Sequence, residues 1–369
     1  MLEINNFIVS FLWIDSLSLK EILIKILIKQ QKFQFFTWKK NNLEITPIHF
    51  LPLRRFKIIQ RINIYLNALL TLFLINSRKK LREKEIILWI FDPKQESLVG
   101  KFTENLTIYD CLDYYSSIDP KENQAQKENE KKLFDKTDIV FVNSRALFNL
   151  KKSRHKRIYL VSQGFDIKTY SNRKSFIVPN DIKKIKKPII GFIGSVDYRI
   201  DFDLLYKLAF KNPEWSFVFI GSEGADERQE TIINFPKKIE KLKKMGNIHF
   251  LGKRDRRYLP NYISRFDIAI IPYNTNLEFC LYCYPMKIFE YFYLGKPVIS
   301  TPIEEFKRFP KFVKIGKNYQ EWEKYIKKLL AKPWPKKYMK EQRSLAKRNS
   351  WEEKINLISR KIQEFSDIK

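Results

Sequence analysis

The sequence predicts an α/β protein made of two domains, each built on a parallel β-sheet. Short apolar runs rich in Ile, Val, Phe and Tyr alternate with helical patterns along the whole chain of 369 residues. Such alternation is typical of parallel sheets that helices cover on both faces. The pattern is interrupted over the polar stretch from Asp166 to Lys187. We interpret that stretch as a linker, which leaves two halves of about 180 residues each.

Six strands are predicted in the first half from apolar runs that are too short for helices. The runs are Phe7–Val9, Phe33–Trp38, Ile86–Phe91, Leu106–Tyr109, Ile139–Val142 and Ile158–Val161. The segments between them that predict helices are Leu17–Lys29, Phe56–Leu81 and Gln124–Lys136. The first domain is expected to span residues 1–180.

A second series of strands begins directly after Pro188. The predicted strands are Ile189–Ile193, Phe217–Ile220, Ile248–Leu251, Ile268–Ile271 and Val298–Ser300. Helices are predicted near residues 201–211, 258–266 and 285–294, and again from Tyr319 onward. The second domain is expected to span residues 188–350, and the last helix is long enough for residues 351–369 to return toward the first domain.

Composition narrows the class of protein. Hydrophobic residues make up 44% of the chain, which is enough for a buried core and excludes a largely disordered protein. The 70 Lys and Arg residues outnumber the 41 Asp and Glu residues, so the formal charge is +29. Charge of this sign attracts nucleic acid, anionic lipid headgroups and phosphorylated small molecules alike. An alternative explanation is a Lys-rich composition without any anionic partner.

The three cysteines and the N-terminus exclude further classes. Three thiols cannot form a disulfide scaffold, and an odd number suits a reducing compartment. Cys280 and Cys283 form a single C-x-x-C motif without the second pair that a zinc site requires, so we expect two partly buried thiols. The first residues lack the positive start and cleavage site of a signal peptide. The apolar segment Ile58–Asn76 is interrupted by polar residues, which favours a core helix over a shallow membrane contact between its basic flanks.

The first strand of the second half ends in a turn that suits a phosphate group. The strand continues into Gly194 and Ser195, Arg199 follows, and a helix is predicted from about Asp201. A glycine at such a turn lets backbone N–H groups approach a phosphate, and an arginine adds a charge-assisted hydrogen bond. A simple tight turn is an equal alternative. The Asp201-x-Asp203 pattern resembles a metal-binding motif, but its place at a helix start favours capping.

A second candidate site follows the strand Ile268–Ile271. The predicted helix starts with Pro285 at its first position and stops at Gly295. Lys287 lies in its first turn, and Glu290 projects from the same face three residues later. A cation with open amides suits a diphosphate, and a carboxylate suits the two vicinal hydroxyls of a ribose. An i,i+3 ion pair on a solvated helix is the alternative.

Three segments in this order resemble nucleotide-sugar glycosyltransferases of the GT-B fold, in the glycosyltransferase 1/4-like family. They are Asn247–Gly252, Asp267–Pro272 and Pro285–Thr301. Weaker similarity extends through Leu88–Pro93, Tyr109–Asp113, Asp138–Ser144 and Val161–Asp166, so the resemblance covers nearly the whole chain. It implies two Rossmann-like domains that face each other across a cleft, with the acceptor on the first and the donor on the second.

By this resemblance, Glu290 binds the ribose, and Lys287 lies near the diphosphate with the turn Gly194–Ser195. The other residues expected at the donor are Arg199, Pro272, Tyr284, Pro285 and Ile288. The chain departs from the family in two places. The first glutamate of a Glu-x7-Glu pair is replaced by Tyr282, with Glu278 out of register, and Arg199 is offset from the usual basic position.

The chemistry that the resemblance implies is sugar transfer without a metal ion or other cofactor. If the transfer inverts the anomeric centre, a base must deprotonate the acceptor, and Asp113 and Asp110 at a strand end are the candidates. A retaining transfer requires no such base. We expect a cytoplasmic glycosyltransferase of cell-surface polysaccharide synthesis that extends a glycan or polyprenyl-linked acceptor, with peripheral contact to an anionic inner membrane face. The alternatives are a nucleotide-binding protein of the same fold without transfer activity and a basic nucleic-acid-binding protein.

Overall fold

The computed structural model describes residues 9–15, 38–40, 43–49, 85–116, 120–171, 176–224 and 234–367, with isolated helical residues between 62 and 76. Contacts divide the chain into two compact units. One comprises Met1–Tyr109 and Asp135–Asp138, and the other comprises Asp110–Phe134 and Ile139–Lys369. This division does not coincide with the predicted domain boundaries, which stay a prediction.

The first unit contains strands from two small sheets. The strands are β1 (Val9–Asp15), β2 (Trp38–Lys40), β3 (Leu43–His49), β4 (Ile87–Ile90) and β5 (Leu106–Cys111), whose last two residues belong to the second unit. β1 pairs in parallel with β3, and β4 pairs in parallel with β5. β2 is antiparallel to β3, which corrects the expectation of a wholly parallel sheet. Only two residues separate β2 from β3, which is too few for a parallel crossover.

Several predictions for this part of the chain lie outside the described residues. They are the helix Leu17–Lys29, most of the helix Phe56–Leu81, and most of the strands Phe7–Val9 and Phe33–Trp38. The predicted strands Ile86–Phe91 and Leu106–Tyr109 are confirmed by β4 and β5.

The second unit begins with two helices and two strands, and the sequence predicted all of them except the helix α2. They are α1 (Pro120–Lys136), whose last two residues belong to the first unit, β6 (Ile139–Val142), α2 (Arg145–Lys151) and β7 (Ile158–Leu160). β6 and β7 pair in parallel. The side chain of Ser144 accepts a hydrogen bond from the Leu147 amide and so caps α2.

The predicted linker contains two short helices, α3 (Ile167–Ser171) and α4 (Asn180–Lys183). Each helix is anchored by a single buried side chain, Tyr170 in α3 and Ile182 in α4. The stretch interpreted as a linker therefore contains two short helices that the sequence did not predict. Helices of five and four residues are too short to show a periodicity, so sequence patterning could not detect either one.

The remainder of this unit is a six-stranded parallel sheet with its helices. Its strands are β8 (Ile189–Ile193), β9 (Ser216–Ile220), β10 (Ile248–Phe250), β11 (Ile268–Ile271), β12 (Val298–Ser300) and β13 (Val313–Ile315). The helices are α5 (Phe202–Lys211), α6 (Phe235–Lys243), α7 (Leu259–Ser264), α8 (Glu278–Leu281), α9 (Lys287–Tyr293), α10 (Tyr319–Leu330), α11 (Lys336–Arg348) and α12 (Trp351–Ser366). The predicted strands β8 to β12 are confirmed, and β13 was missed because it is a three-residue run among lysines.

The strand order fixes where a ligand would bind. The order is β10-β9-β8-β11-β12-β13, so the chain first moves outward from β8 on one side and then returns to its other side with β11. In open parallel sheets, ligands bind beyond the carboxyl ends of the strands at such a reversal. The residues that follow β8 and β11 therefore meet at the expected binding position.

The last helix packs against residues near β7. The Arg157 guanidinium lies 4.9 Å from the centre of the Phe365 ring, and the Lys361 ammonium lies 4.8 Å from the centre of the Tyr159 ring. Both cations thus cover aromatic faces between α12 and β7. Among the described residues, none of the helices has the length and apolar character that a bilayer span requires.

Candidate active site

The turn after β8 is shaped around a lysine from α9. Gly194 has a φ of +122°, a conformation that side-chain-bearing residues rarely adopt. A methyl group on Gly194 would come within 3.0 Å of the Lys287 Nζ atom. The Gly194 amide donates to the Ile220 carbonyl at 2.9 Å, so it does not point at a ligand as the sequence suggested. The Gly194 amide is therefore not available to a phosphate, and the turn instead lets the Lys287 ammonium come close to the backbone. The role of Ser195 at the donor stays a prediction.

Lys287 presents a cation in a partly buried aromatic setting. Its ammonium donates to the Tyr273 hydroxyl and lies 4.5 and 4.6 Å from the ring centres of Phe192 and Tyr273. Burial, together with the nearby Arg199 charge, lowers the pKa of Lys287 to about 8. The group is still largely protonated at neutral pH, so it can attract the phosphates of a ligand.

Helix α9 starts later than predicted, and its first amides are engaged. The helix begins at Lys287, so Pro285 lies before it rather than at its first position. The amides of Ile288 and Phe289 donate to the carbonyls of Pro285 and Met286. The open amides expected at this end are therefore occupied, and the ammonium of Lys287 supplies the positive charge. The helix ends as predicted, with Gly295 at a φ of +65°.

Arg199 is held in place by a buried carboxylate. Its Nε and Nη2 atoms donate to the two oxygens of Asp197 at 2.8 and 2.6 Å. Asp197 is fully buried. Burial alone would lower the pKa of Arg199, but the hydrogen bonds to Asp197 raise it well above its ordinary value. The Arg199–Asp197 pair is close to neutral overall, so Lys287 attracts an anion more strongly than Arg199 does.

Glu290 lies one helical turn beyond Lys287 and is nearly buried. Its side chain is 12% exposed, and its Oε1 atom lies 4.0 Å from Nη2 of Arg256. Burial raises the pKa of Glu290, while the Tyr170 hydroxyl and the Arg256 charge act in the opposite direction. The predicted alternative of an ion pair on a solvated helix does not describe these two side chains, because neither is solvated on an open face.

Asp113, two residues after β5, lies within electrostatic range of the same cluster. Asp113 is exposed by its accessible surface, yet enough protein atoms lie around its carboxyl group to desolvate it in part. This partial desolvation raises its pKa to about 6, and the Arg199 charge opposes the shift. The other predicted base, Asp110, lies within β5 and is partly buried. Asp113 is thus within electrostatic range of Arg199, and its role as a base stays a prediction.

The C-x-x-C motif also falls beside this cluster. Cys280 is buried, and its Sγ atom lies 4.0 Å from the Arg199 carbonyl oxygen. Cys283 donates from Sγ to the Cys280 carbonyl at 3.1 Å. Burial raises the pKa of both thiols well above the ordinary value, so both are neutral at physiological pH. The prediction of partly buried thiols is confirmed, and the neutral thiols act as packing around Arg199 and Lys287.

Asp201 caps α5, as predicted. Its Oδ1 atom accepts a hydrogen bond from the Leu204 amide at 2.9 Å. Asp203 points elsewhere and pairs with Lys238 at 2.8 Å. Within the described ranges, no group of three or more His, Cys, Asp or Glu side chains is arranged to hold a metal ion.

Two further residues that were predicted to bind the donor nucleotide make hydrogen bonds within the protein. The Pro272 carbonyl accepts a hydrogen bond from the Asp201 amide at 2.8 Å and ties the end of β11 to the start of α5. Tyr284 is buried, and its hydroxyl donates to Oδ1 of Asn349 at 3.2 Å. The donor-binding roles assigned to Pro272, Tyr284, Pro285 and Ile288 stay predictions.

Sequence reasoning missed several side chains at this site. Asp197, Tyr114, Tyr170 and Arg256 were not singled out, and no periodicity or motif marks them. Tyr282, which replaces the family's glutamate, has its ring centre 5.1 Å from that of Tyr114. Burial and the neighbouring Glu278 raise the pKa of Tyr114 to about 12. The departure at Tyr282 was visible in the sequence, but its aromatic partner was not.

A buried carboxylate joins the loop after β12 to the start of α2. Glu305 has a side chain that is 1% exposed, and Arg308 donates to its Oε1 atom at 2.8 Å. Its Oε2 atom accepts from the Arg145 amide at 2.7 Å. A carboxylate at a helix N-terminus satisfies amides that have no partner within the helix.

We expect Glu305→Ala to lower the free energy of unfolding by about 1–3 kcal/mol, because it leaves the first amides of α2 without their buried acceptor and removes the partner of the exposed Arg308. Denaturant unfolding would measure the loss. Glu304→Ala is the matched control, since Glu304 pairs with the exposed Lys307 and should cost well under ~1 kcal/mol. Equal stability of the two variants would show that the buried contact does not matter.

Residues 174–349 match the family described as glycosyl transferases group 1. These residues form a group 1 glycosyl transferase domain, and the protein is a glycosyltransferase. The match covers β8 to β13 and therefore the sheet whose carboxyl end holds Lys287 and Glu290. The family recognised from the sequence motifs is confirmed.

Comparisons with individual proteins agree with this family assignment. The glycosyltransferase is 23% identical over 299 residues to TuaH of Bacillus subtilis (strain 168), which is assigned to teichuronic acid biosynthesis, and the alignment covers 76% of this chain and 72% of TuaH. Sucrose-phosphate synthase from Thermosynechococcus elongatus matches with a TM-score of 0.70 at 14% identity, covering 90% of this chain and 86% of that one. HepE of Anabaena, solved with UDP, matches with a TM-score of 0.63 at 14% identity, covering 93% and 89%.

These structural matches establish the fold. They extend over nearly all of the chain, and they confirm the prediction of a GT-B protein with two Rossmann-like domains. At such low identity they do not assign substrates to this glycosyltransferase or roles to its residues.

Proposed function

We propose that this glycosyltransferase takes its sugar from a uridine diphosphate sugar bound beyond β8 and β11. The observation that carries the proposal is the Lys287 ammonium set against the Gly194 turn, with the nearly buried Glu290 one helical turn away. A cation and a carboxylate at this spacing suit the two ends of a ribose diphosphate. The uridine base is suggested by HepE of Anabaena, which has been solved with UDP and with UDP-glucose.

In this proposal, the main catalytic role of the site is to stabilise the departing diphosphate. Transfer builds negative charge on the leaving group, and a preorganised cation lowers the energy of that charge most effectively where water is excluded. Lys287 supplies this cation, with Arg199 as a second donor held by Asp197. We propose that these side chains act without a metal ion.

A thermal-shift screen with UDP, GDP, ADP, CMP and dTDP tests the donor proposal. A nucleotide that binds only the folded state raises the melting temperature. We expect the largest rise with UDP, unchanged by EDTA. Incubation with UDP-sugars and a glycan acceptor then tests transfer. A rise with another nucleotide alone would overturn the choice of uridine, and loss of the UDP response in EDTA would overturn metal independence.

We propose Asp113 as the base that deprotonates the acceptor. Its pKa of about 6 means that it is ionised, and able to accept a proton, above that pH. Activity should therefore rise as pH increases through about 6, and Asp113→Asn should reduce kcat by about 100-fold or more while UDP binding persists. Initial rates between pH 5 and 8 measure this, with Asp110→Asn as the matched variant. Near-native transfer by Asp113→Asn would show that Asp113 is not the base.

For the acceptor, we propose a glycan or polyprenyl-linked glycan of a cell-surface polysaccharide. The support is the similarity to TuaH, which is assigned to teichuronic acid biosynthesis. A lipid-linked acceptor would place the enzyme at the cytoplasmic face of the inner membrane. Transfer to a polyprenyl-linked acceptor, compared with the free glycan, measures whether the lipid is required.

Peripheral membrane contact is supported by an exposed apolar helix face. Ile62, Tyr65, Leu66, Leu69 and Phe73 recur at helical spacing, and all are exposed. Basic residues flank this segment in the sequence on both sides: Arg54, Arg55, Lys57, Arg78, Lys79, Lys80 and Arg82. An apolar face with flanking cations is typical of a helix that lies in the interface of an anionic membrane.

We expect the protein to float with anionic phospholipid vesicles at low salt and to be released at high salt, because each interfacial cation contributes about 1 kcal/mol. Phe73→Ser should weaken flotation. Phe210→Ser is the matched control, since both phenylalanines are 66% exposed. Identical flotation of the two variants would exclude the 62–73 face as the contact.

A further inference from the structure

Tyr170 carries a buried hydroxyl that faces the candidate ribose site. The residue is 2% exposed, and its ring is fixed by Phe165 and Tyr293, with ring centres 5.0 and 5.9 Å away. Its hydroxyl lies beside the Glu290 carboxylate but makes no hydrogen bond of standard geometry within the described part of the chain. Buried polar atoms are almost always paired, so such a hydroxyl calls for an explanation.

Arg256 lies near the same carboxylate. It lies in a short 3-10 helix, Arg256–Tyr258, on the loop that follows β10. Its Nη2 atom is 4.0 Å from Oε1 of Glu290, and its side chain is 52% exposed. The separation is at the outer limit of an ion pair, so a small movement of either side chain would form a direct hydrogen bond.

We propose that Tyr170 and Arg256 are positioning residues that hold the Glu290 carboxylate for the 2′- and 3′-hydroxyls of a ribose. The inference rests on the proposed function and deepens it. An ionised carboxylate offers about four acceptor positions. Two ribose hydroxyls would use two of them, and the other two are left for the phenol and the guanidinium to donate to when the nucleotide is bound. Without those two donors, a nearly buried carboxylate would lack the partners that keep it ionised.

The charges around Glu290 agree with this arrangement. Burial raises its pKa, and Tyr170, Arg256 and Lys287 lower it, whereas Asp166 raises it further. Tyr170 and Arg256 therefore favour the ionised form, which is the form that accepts hydrogen bonds from both hydroxyls. Because Tyr170 lies in α3, within the segment that resembled a linker, this short helix contributes directly to the ligand site.

Comparing UDP with 2′-deoxy-UDP isolates the contact to one hydroxyl. We expect the wild-type protein to bind UDP about tenfold more tightly than 2′-deoxy-UDP, as a hydrogen bond to a charged group predicts. Glu290→Gln should reduce this ratio to near one. Tyr170→Phe and Arg256→Met should each reduce it to about threefold or less, because the carboxylate is then less well held. Calorimetric titration of both nucleotides measures all four ratios.

Two neighbours provide matched controls. Tyr293→Phe removes a hydroxyl from the ring that packs on Tyr170, and Arg257→Met removes a guanidinium that pairs with Asp255. Both should keep the wild-type ratio. Arg256→Lys should restore part of the ratio lost in Arg256→Met. Melting temperatures identify any variant that is poorly folded.

The outcomes separate this inference from the proposed function. If the wild type fails to bind UDP, both fail. If the wild type discriminates and Glu290→Gln does not, while Tyr170→Phe and Arg256→Met keep the full ratio, the positioning role is wrong and the donor proposal stands. If both variants weaken UDP and 2′-deoxy-UDP equally, the two residues are merely structural, which also overturns the inference.

Discussion

Replacing Glu290 with glutamine is expected to reduce kcat/KM for the donor by about 100-fold. The carboxylate would accept hydrogen bonds from two ribose hydroxyls, and bonds to a charged group contribute about 1.5–3 kcal/mol each. The neutral amide keeps the shape of the side chain but offers one acceptor oxygen in place of two. Steady-state kinetics with varied donor would measure the loss.

The same substitution should leave the protein at least as stable. Burial raises the pKa of Glu290 in the folded state, so the folded protein binds more protons than the unfolded chain between the ordinary and the raised pKa. The free energy of unfolding therefore falls as pH rises through that window, and glutamine removes this cost. A loss of activity without a loss of melting temperature assigns the effect to the site.

Glu323→Gln is the matched control for the Glu290 variant. Glu323 lies on α10 and pairs with Lys327 on the same helix, so its replacement should change neither kcat/KM nor stability measurably. If Glu290→Gln behaved like Glu323→Gln, the donor would not contact this carboxylate.

Replacing Lys287 with methionine should lower kcat by about 100-fold to 1,000-fold, as removal of one preorganised charge-stabilising group does in other enzymes. The effect should be large here because the amides of Gly194, Ile288 and Phe289 are all engaged within the protein. In the wild type, activity should fall as pH rises through about 8, where Lys287 loses its proton. The methionine variant should lack that decline.

Lys296 provides a control with the same chemistry at the other end of α9. Burial lowers its pKa to about 8 as well. Its ammonium donates to the carbonyls of Ser264 and Phe266, each at 2.7 Å, and so holds the loop before β11. Lys296→Met should lower the melting temperature and leave the alkaline decline in place. If both variants lost that decline, Lys287 would not be its source.

The strands around the site could be predicted closely from sequence. Ile189–Ile193, Ile268–Ile271 and Val298–Ser300 are apolar runs bounded by Gly or Pro, and all three strands are fully buried at the centre of the sheet. Burial on both faces makes such runs continuous rather than alternating, which is a strong local signal. The helix stop at Gly295 was equally clear, because the chain there needs a positive φ.

Contacts between distant segments could not be predicted in this way. Tyr170 meets Glu290 across 120 positions of sequence, and nothing in its own segment indicates that contact. The start of α9 was misplaced because Pro285 is also compatible with the residues just before a helix. The expectation of a free amide at Gly194 was wrong, because whether an N–H group is already paired depends on the neighbouring strand. Here the Gly194 amide donates to the Ile220 carbonyl.

A crystal structure of the protein with UDP tests the central claim most directly. We predict that the diphosphate contacts the Lys287 ammonium beside the Gly194 turn and that both ribose hydroxyls donate to the Glu290 carboxylate. A nucleotide bound elsewhere, or bound here with both side chains out of contact, would contradict the account.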